Sequence, residues 1–179
     1  MNVPVKPESD ASEAEITSVP TNGPRRSPDQ QQRIEAAVRE LFEHKITFNE
    51  FLGFHVDSLS PDDVRIGFSM RPELVGHYLY GRLHGGVISA VLDATGGLAV
   101  MWAMAEYFKH ESANAVIERF AMLGTVDLRI DYLRQGIGER FVASARIVRL
   151  GRRIASTQME LHNDQAKLIA TGAATYIVS

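Results

Sequence analysis

Residues 80–106 read YGRLHGGVISAVLDATGGLAVMWAMAE. After the Leu83-His84-Gly85-Gly86 opening, nearly every position is apolar or small. At about 100° per residue these positions cover almost the whole circumference of a helix, which predicts a helix buried on most sides. Gly96 and Gly97 interrupt the run and Glu106 ends it, which favours a core helix over a membrane span. One narrow stripe differs. Ser89, Asp93, Gly96 and Gly97 fall on a single helical face. Asp93 is the sole ionisable residue between His84 and Glu106, and a buried carboxylate has to be paired, hydrogen-bonded or protonated. It reads either as a structural carboxylate held by a backbone amide or as a catalytic acid or base. Each of the two glycines lowers helix stability by roughly 1 kcal/mol. The expectation is that a second chain or a ligand presses close to the backbone there.

Gly85 and Gly86 open the helix, where the first amides have no intrahelical partner. Those amides and the helix dipole favour negative charge, such as a developing oxyanion. A glycine-rich turn into a helix is the bland alternative, and two glycines alone are weak evidence.

Outward from this stretch, the 179 residues suffice for one domain with a core. A net charge of −3 without a basic block argues against a nucleic-acid surface, while leaving small anionic ligands open. The absence of cysteine excludes disulfides, thiolate metal sites and cysteine nucleophiles, and fits a reducing compartment. No metal site is expected. The first residues, MNVPVKPESD, lack a basic start followed by an apolar run, so no signal peptide is expected and the cytoplasm is the default location.

Residues 1–26 are rich in Pro, Ser, Glu and Thr and are expected to be a disordered leader before one domain over residues 27–179. Ser27-Pro28-Asp29-Gln30 predicts a helix start, with Ser27 as N-cap and Gln30 completing a capping box. Ile34, Val38, Leu41 and Phe42 mark its apolar face to about His44. Residues 48–54 read as an apolar turn, followed by strands near 54–59 and 64–70 about a turn at Ser60-Pro61-Asp62-Asp63. Residues 72–82 read as a loop and 115–123 as a short helix. Beyond it, Val126, Leu128, Ile130 and Tyr132 alternate with Thr125, Asp127, Arg129 and Asp131. Further strands at 141–150, 154–162 and 167–178 are joined by short turns, which predicts an antiparallel meander. The outcome is an α+β protein in which an antiparallel sheet wraps one long helix.

The LHGG opening, with Asp93 nine residues after His84, resembles the hotdog-fold thioesterases of the PaaI-like group. Gly124–Arg134 is similar to that family's third strand, and Glu160–Tyr176 to its last hairpin. The resemblance implies a hotdog fold, no cofactor, and hydrolysis of medium- or long-chain acyl-CoA by a homodimer or homotetramer acting without nucleic acid or membrane. It makes Asp93 the general base or nucleophile, the Gly85 amide the group that polarises the thioester carbonyl, and Thr125 the hydroxyl that positions water. His84 is usually structural in such proteins, and with Gly86 it borders the expected substrate position. Where many relatives carry an Asn six or seven residues before the His, this chain has Tyr78 and His77, and His77 is a candidate substitute donor. Arg149, Arg152 and Arg153 flank a hairpin turn. They read either as a solvated basic turn or, by the resemblance, as partners of the CoA phosphates.

Two other functions compete. A non-catalytic acyl-CoA binding or sensing module can share the fold, but has no need of a carboxylate beside a glycine-rich helix start. A dehydratase acting on enoyl or hydroxyacyl groups would want a His near an Asp. His84 and Asp93 stand about 13 Å apart along one helix and form no pair within a chain.

Overall fold

The computed structural model describes residues 23–60 and 62–179. Residues 1–22 of the expected disordered leader, and Pro61 of the expected turn, lie outside the described residues. Residues 23–26 are described, and Arg26 is buried. Its guanidinium donates to the carbonyls of Ala105, Phe108 (2.7 Å) and Lys109 (3.4 Å), closing the C-terminal end of the central helix. Burial pulls this guanidinium below its ordinary range, and the nearby Glu106 carboxylate partly opposes that.

Helix α1 (Pro28–Glu40) starts at Ser27, whose Oγ accepts from the Gln30 amide at 3.4 Å. The reciprocal half of the capping box does not form. The Gln30 side chain instead accepts from the Ala113 amide at 2.9 Å, tying α1 to the later helix α4 (Ala113–Phe120). A π-helical turn at Leu41–Lys45 leads into α2 (Thr47–Leu52), where an apolar turn was expected. Gly53, at φ +71°, ends α2, with Gly53 N donating to Glu50 O and Phe54 N to Asn49 O. That is a Schellman stop, which needs a left-handed residue and finds it in glycine.

The main sheet contains β1 (His55–Ser60), β2 (Asp63–Ser69), β5 (Gly124–Tyr132), β6 (Arg140–Leu150), β7 (Ile154–Asn163) and β8 (Leu168–Ile177). The strands β3 (Val75–His77) and β4 (Arg82–Leu83) form a small separate hairpin within the expected loop. The sheet order is β1-β2-β6-β7-β8-β5, antiparallel throughout. Only β6, β7 and β8 form the expected meander. β5 pairs instead with β8 at the far edge. The connection at 133–139 cannot fold back as a hairpin, because it docks across the sheet end. Leu133 N and Arg134 N donate to Ile169 O, and Gly136 O accepts from Leu83 N.

Helix α3 (Gly85–Tyr107) lies against β2, β5, β6, β7 and β8. It is long and apolar enough to span a membrane, but that length is spent in the core. Val91, Leu92, Leu98 and Val100 are fully buried, among side chains that include Phe68, Phe141, Met159 and Ile169. Ser89, Ala90, Asp93 and Ala94 remain only partly covered, and the last three of them line a cavity.

Candidate active site

His84 caps α3, its Nδ1 accepting from the Gly86 amide at 2.9 Å. That bond uses the Gly86 amide and leaves the Gly85 amide as the helix-start donor with no partner among the described residues. The Gly85 carbonyl accepts from Ser89 Oγ at 3.1 Å and from the Tyr132 hydroxyl at 3.2 Å. Ser89 and Tyr132 are themselves 2.6 Å apart.

Two turns further on, Asp93 Oδ1 accepts from Thr125 Oγ1 at 2.9 Å and from the Tyr176 hydroxyl at 3.3 Å. Tyr176 also donates to the Asp93 backbone carbonyl at 2.9 Å. Burial, reinforced by the neighbouring Asp93 carboxylate, pushes the Tyr176 hydroxyl far above the ordinary phenol range. Tyr176 therefore stays protonated and acts toward Asp93 as a donor. Asp93 itself is half-buried, not buried as its apolar surroundings in sequence suggested, because its helix face opens on a cavity. Its Oδ2 makes no hydrogen bond among the described residues, so one carboxylate oxygen is anchored and the other is available.

Thr125 reaches Asp93 because β5 contains a bulge. Thr125 pairs with Tyr176 and Asp127 with Thr175, which leaves Val126 unpaired. The extra residue resets the alternation. Thr125 therefore turns toward α3, as Tyr132 does, while Val126, expected on the inner face, is 62% exposed.

The two helix glycines have different reasons. A Cβ on Gly96 would collide with the Tyr176 hydroxyl and sit 3.0 Å from Thr157 Oγ1. What presses on Gly96 is thus a side chain of the same chain, which corrects the expectation of a partner or ligand there. A Cβ on Gly97 would meet only ordinary contacts, Tyr176 Cε1 at 3.7 Å and Leu123 Cδ2 at 3.8 Å.

A cavity of about 310 Å³ is lined by Phe42, Phe48, Asn49, Asp93, Gly97 and Thr125, among others. A second, also about 310 Å³, lies at the start of α3 beside His84, Gly86 and Phe51, and Phe48 borders both. A larger hollow of about 560 Å³ is lined by Asp63, Arg129, Arg146, Gln158 and Glu160 and contains none of the expected site residues. Its charged groups engage neighbours, such as Arg129 with Asp131 at 3.2 Å.

His77 and Tyr78 sit apart from the Asp93 cavity, at the β3–β4 hairpin. The His77 ring stacks on Tyr78 at 5.7 Å and meets Tyr80 at a tilt at 4.8 Å, and Tyr78 is 86% exposed. Arg149, Arg152 and Arg153 are exposed at the β6–β7 turn and form no ion pair among the described residues. The register Leu150–Ala155–Tyr176–Thr125 puts that turn at the same end of the sheet as Thr125. Three strand spacings, about 14 Å, separate β6 from β5.

Three residues at these sites escaped the sequence reading. Tyr176 faces Asp93 only because β8 neighbours β5. Tyr132 read as one more apolar position of a strand. Asn49, 5% exposed and without a side-chain hydrogen bond among the described residues, lines the Asp93 cavity. Its signal was a lone amide inside the apolar run 48–54.

An antiparallel sheet around a long helix, with a half-anchored carboxylate and an unsatisfied amide on that helix, defines a hotdog-fold protein with groups suited to acyl transfer. The chain belongs to the thioesterase superfamily, whose family model matches residues 80–170. The Escherichia coli K12 protein YigI, a medium/long-chain acyl-CoA thioesterase, is 36% identical over 141 residues, covering 79% of this chain and 91% of that protein. A crystal structure from Shewanella oneidensis, of a protein related to the thioesterase superfamily, superposes with a TM-score of 0.80 at 35% identity, covering 86% of this chain and all of that one. A protein from Syntrophus aciditrophicus gives a TM-score of 0.74 at 37% identity, over 84% of this chain and 99% of that one.

Proposed function

We propose that this protein hydrolyses medium- and long-chain acyl-CoA thioesters to free fatty acid and CoA, in sites shared between two copies of the chain. The observation that carries this reading is Asp93, anchored through Oδ1 with Oδ2 available beside an apolar cavity. Oδ2 either takes a proton from an attacking water or adds directly to the thioester carbonyl, forming an anhydride that water then opens. Both routes put negative charge on the carbonyl oxygen, and the unsatisfied Gly85 amide of a partner chain stabilises it. The thiolate of CoA leaves and is protonated from solvent or from Asp93. Thr125 donates a hydrogen bond to Asp93, and its lone pairs remain to accept one from the water.

A purely binding or sensing role is the second reading. An anchored carboxylate with an available oxygen favours hydrolysis over it. Release of free thiol from acetyl- to palmitoyl-CoA separates the two: an enzyme turns over, whereas a sensor binds acyl-CoA and releases no CoA. The dehydratase reading is weakened further, because the His84 Nδ1 is occupied by the helix cap.

Thr125→Ala is expected to lower kcat by about tenfold or more with little change in KM, since a water-positioning hydroxyl acts mainly in the transition state. Steady-state kinetics on one acyl-CoA checks this, and an effect confined to KM would place Thr125 in substrate binding instead.

Arg149, Arg152 and Arg153 are free to meet the CoA phosphates. Replacing all three with alanine is expected to raise KM for acyl-CoA about tenfold. Short acyl thioesters that lack phosphates should be hardly affected. Equal losses on both substrates would remove the phosphate assignment.

A further inference from the structure

Gly97 occupies the middle of a helix without a local reason. Glycine is unfavourable there relative to alanine, and a Cβ would find room at 3.7 Å and 3.8 Å from its nearest neighbours. Packing within the chain, which accounts for Gly96, does not account for Gly97. Gly97 lies one turn beyond Asp93 on the same face, and Met101 one turn beyond Gly97. All three line the 310 Å³ cavity, and Met101 is its last contribution from α3. The opposite wall is apolar, with Phe42 from the π-helical turn, Ile46 just after it and Leu123 before β5.

We infer that this cavity is a ruler for the acyl chain. The thioester carbonyl sits at Asp93, the chain passes over the bare backbone at Gly97, and Met101 with Phe42 closes the far end. This rests on the acyl-CoA reading of the site. From Asp93 to Met101 the helix rises about 12 Å. An extended alkyl chain built of ordinary carbon–carbon bonds advances about 1.25 Å per carbon. The site therefore accepts acyl groups of about ten carbons in full contact. Each methylene that enters the cavity is worth about fourfold in binding, so the preference should climb steeply up to that length and then level off.

The test is kcat/KM across butyryl-, hexanoyl-, octanoyl-, decanoyl-, lauroyl- and myristoyl-CoA, for the wild type and for Gly97→Ala, Gly97→Val and Met101→Ala. Circular dichroism and Tm confirm that each variant is folded. The decanoyl-to-butyryl ratio is expected to fall about tenfold or more in Gly97→Val and by a smaller factor in Gly97→Ala, where the room for a Cβ keeps the fold safe. Met101→Ala should raise the myristoyl-to-decanoyl ratio about tenfold by lengthening the cavity. Folded variants that hydrolyse the series with the wild-type length profile would overturn the ruler while leaving the thioesterase reading in place. A wild type inert toward every acyl-CoA would overturn the thioesterase reading and the ruler with it.

Discussion

Asp93→Asn is expected to lower kcat for acyl-CoA hydrolysis by on the order of 10³-fold while the protein stays folded. The substitution is nearly isosteric. An asparagine in the same rotamer keeps an oxygen at the Oδ1 position to accept from Thr125 and Tyr176, bonds now 2.9 Å and 3.3 Å long. What it loses is confined to the unanchored Oδ2 position, where an NH2 group can neither take a proton from water nor attack a carbonyl. Free-thiol release gives the kinetic effect, and thermal unfolding separates it from a loss of structure. A variant that retains near wild-type kcat would show that the carboxylate is a structural element of the helix. Tyr176 sharpens the expectation. It also holds the Asp93 backbone carbonyl, at 2.9 Å, and that bond does not depend on the side chain replaced.

The central helix was legible because its all-round apolarity has no satisfactory environment except a core, and its start was legible from two glycines and a His. Asp93 stood out as the one charge in that run. The carboxylate's neighbours were less accessible, for physical reasons. Tyr176 and Thr125 come together through strand pairing, which joins residues far apart in the chain. The bulge at Val126 moves Thr125 to the helix side, and strict alternation assigned it to the other face. Helix α2 is six residues long, too short for periodicity to separate a helix from an apolar turn. Its Gly53 stop was a readable signal. Gly96 and Gly97 are indistinguishable as letters. Only the position of Tyr176 shows that one accommodates a neighbour and the other leaves space.

Mixing Asp93→Asn chains with Gly85→Val chains, each inactive alone, is expected to restore activity. Gly85 and Asp93 are eight residues apart on α3, about 12 Å along the axis. A base and an oxyanion donor acting on one carbonyl must both lie within hydrogen-bond reach of the reacting group. Within one chain Asp93 lines a cavity that Gly85 does not reach. Two copies of α3 packed antiparallel about a two-fold axis would set Gly85 of each beside Asp93 of the other. The edge of the sheet supports such a partner. Among the described residues β5 ends the sheet with one side unpaired, and Val126, Tyr132 and Leu133 are exposed along it and just after it, a surface that isolated proteins rarely leave uncovered. The Gly85→Val side chain would begin at ordinary contact distance, 3.6 Å from the Tyr132 ring, so the variant should fold while its bulk obstructs the amide. A mixed dimer then has one site with both defects and one with neither. With random pairing at equal concentrations half the dimers are mixed, so about a quarter of wild-type activity should return. Mass spectrometry of the intact assembly verifies that mixed dimers have formed. An active monomer, or demonstrated mixed dimers without recovered activity, would show that each chain builds its site alone.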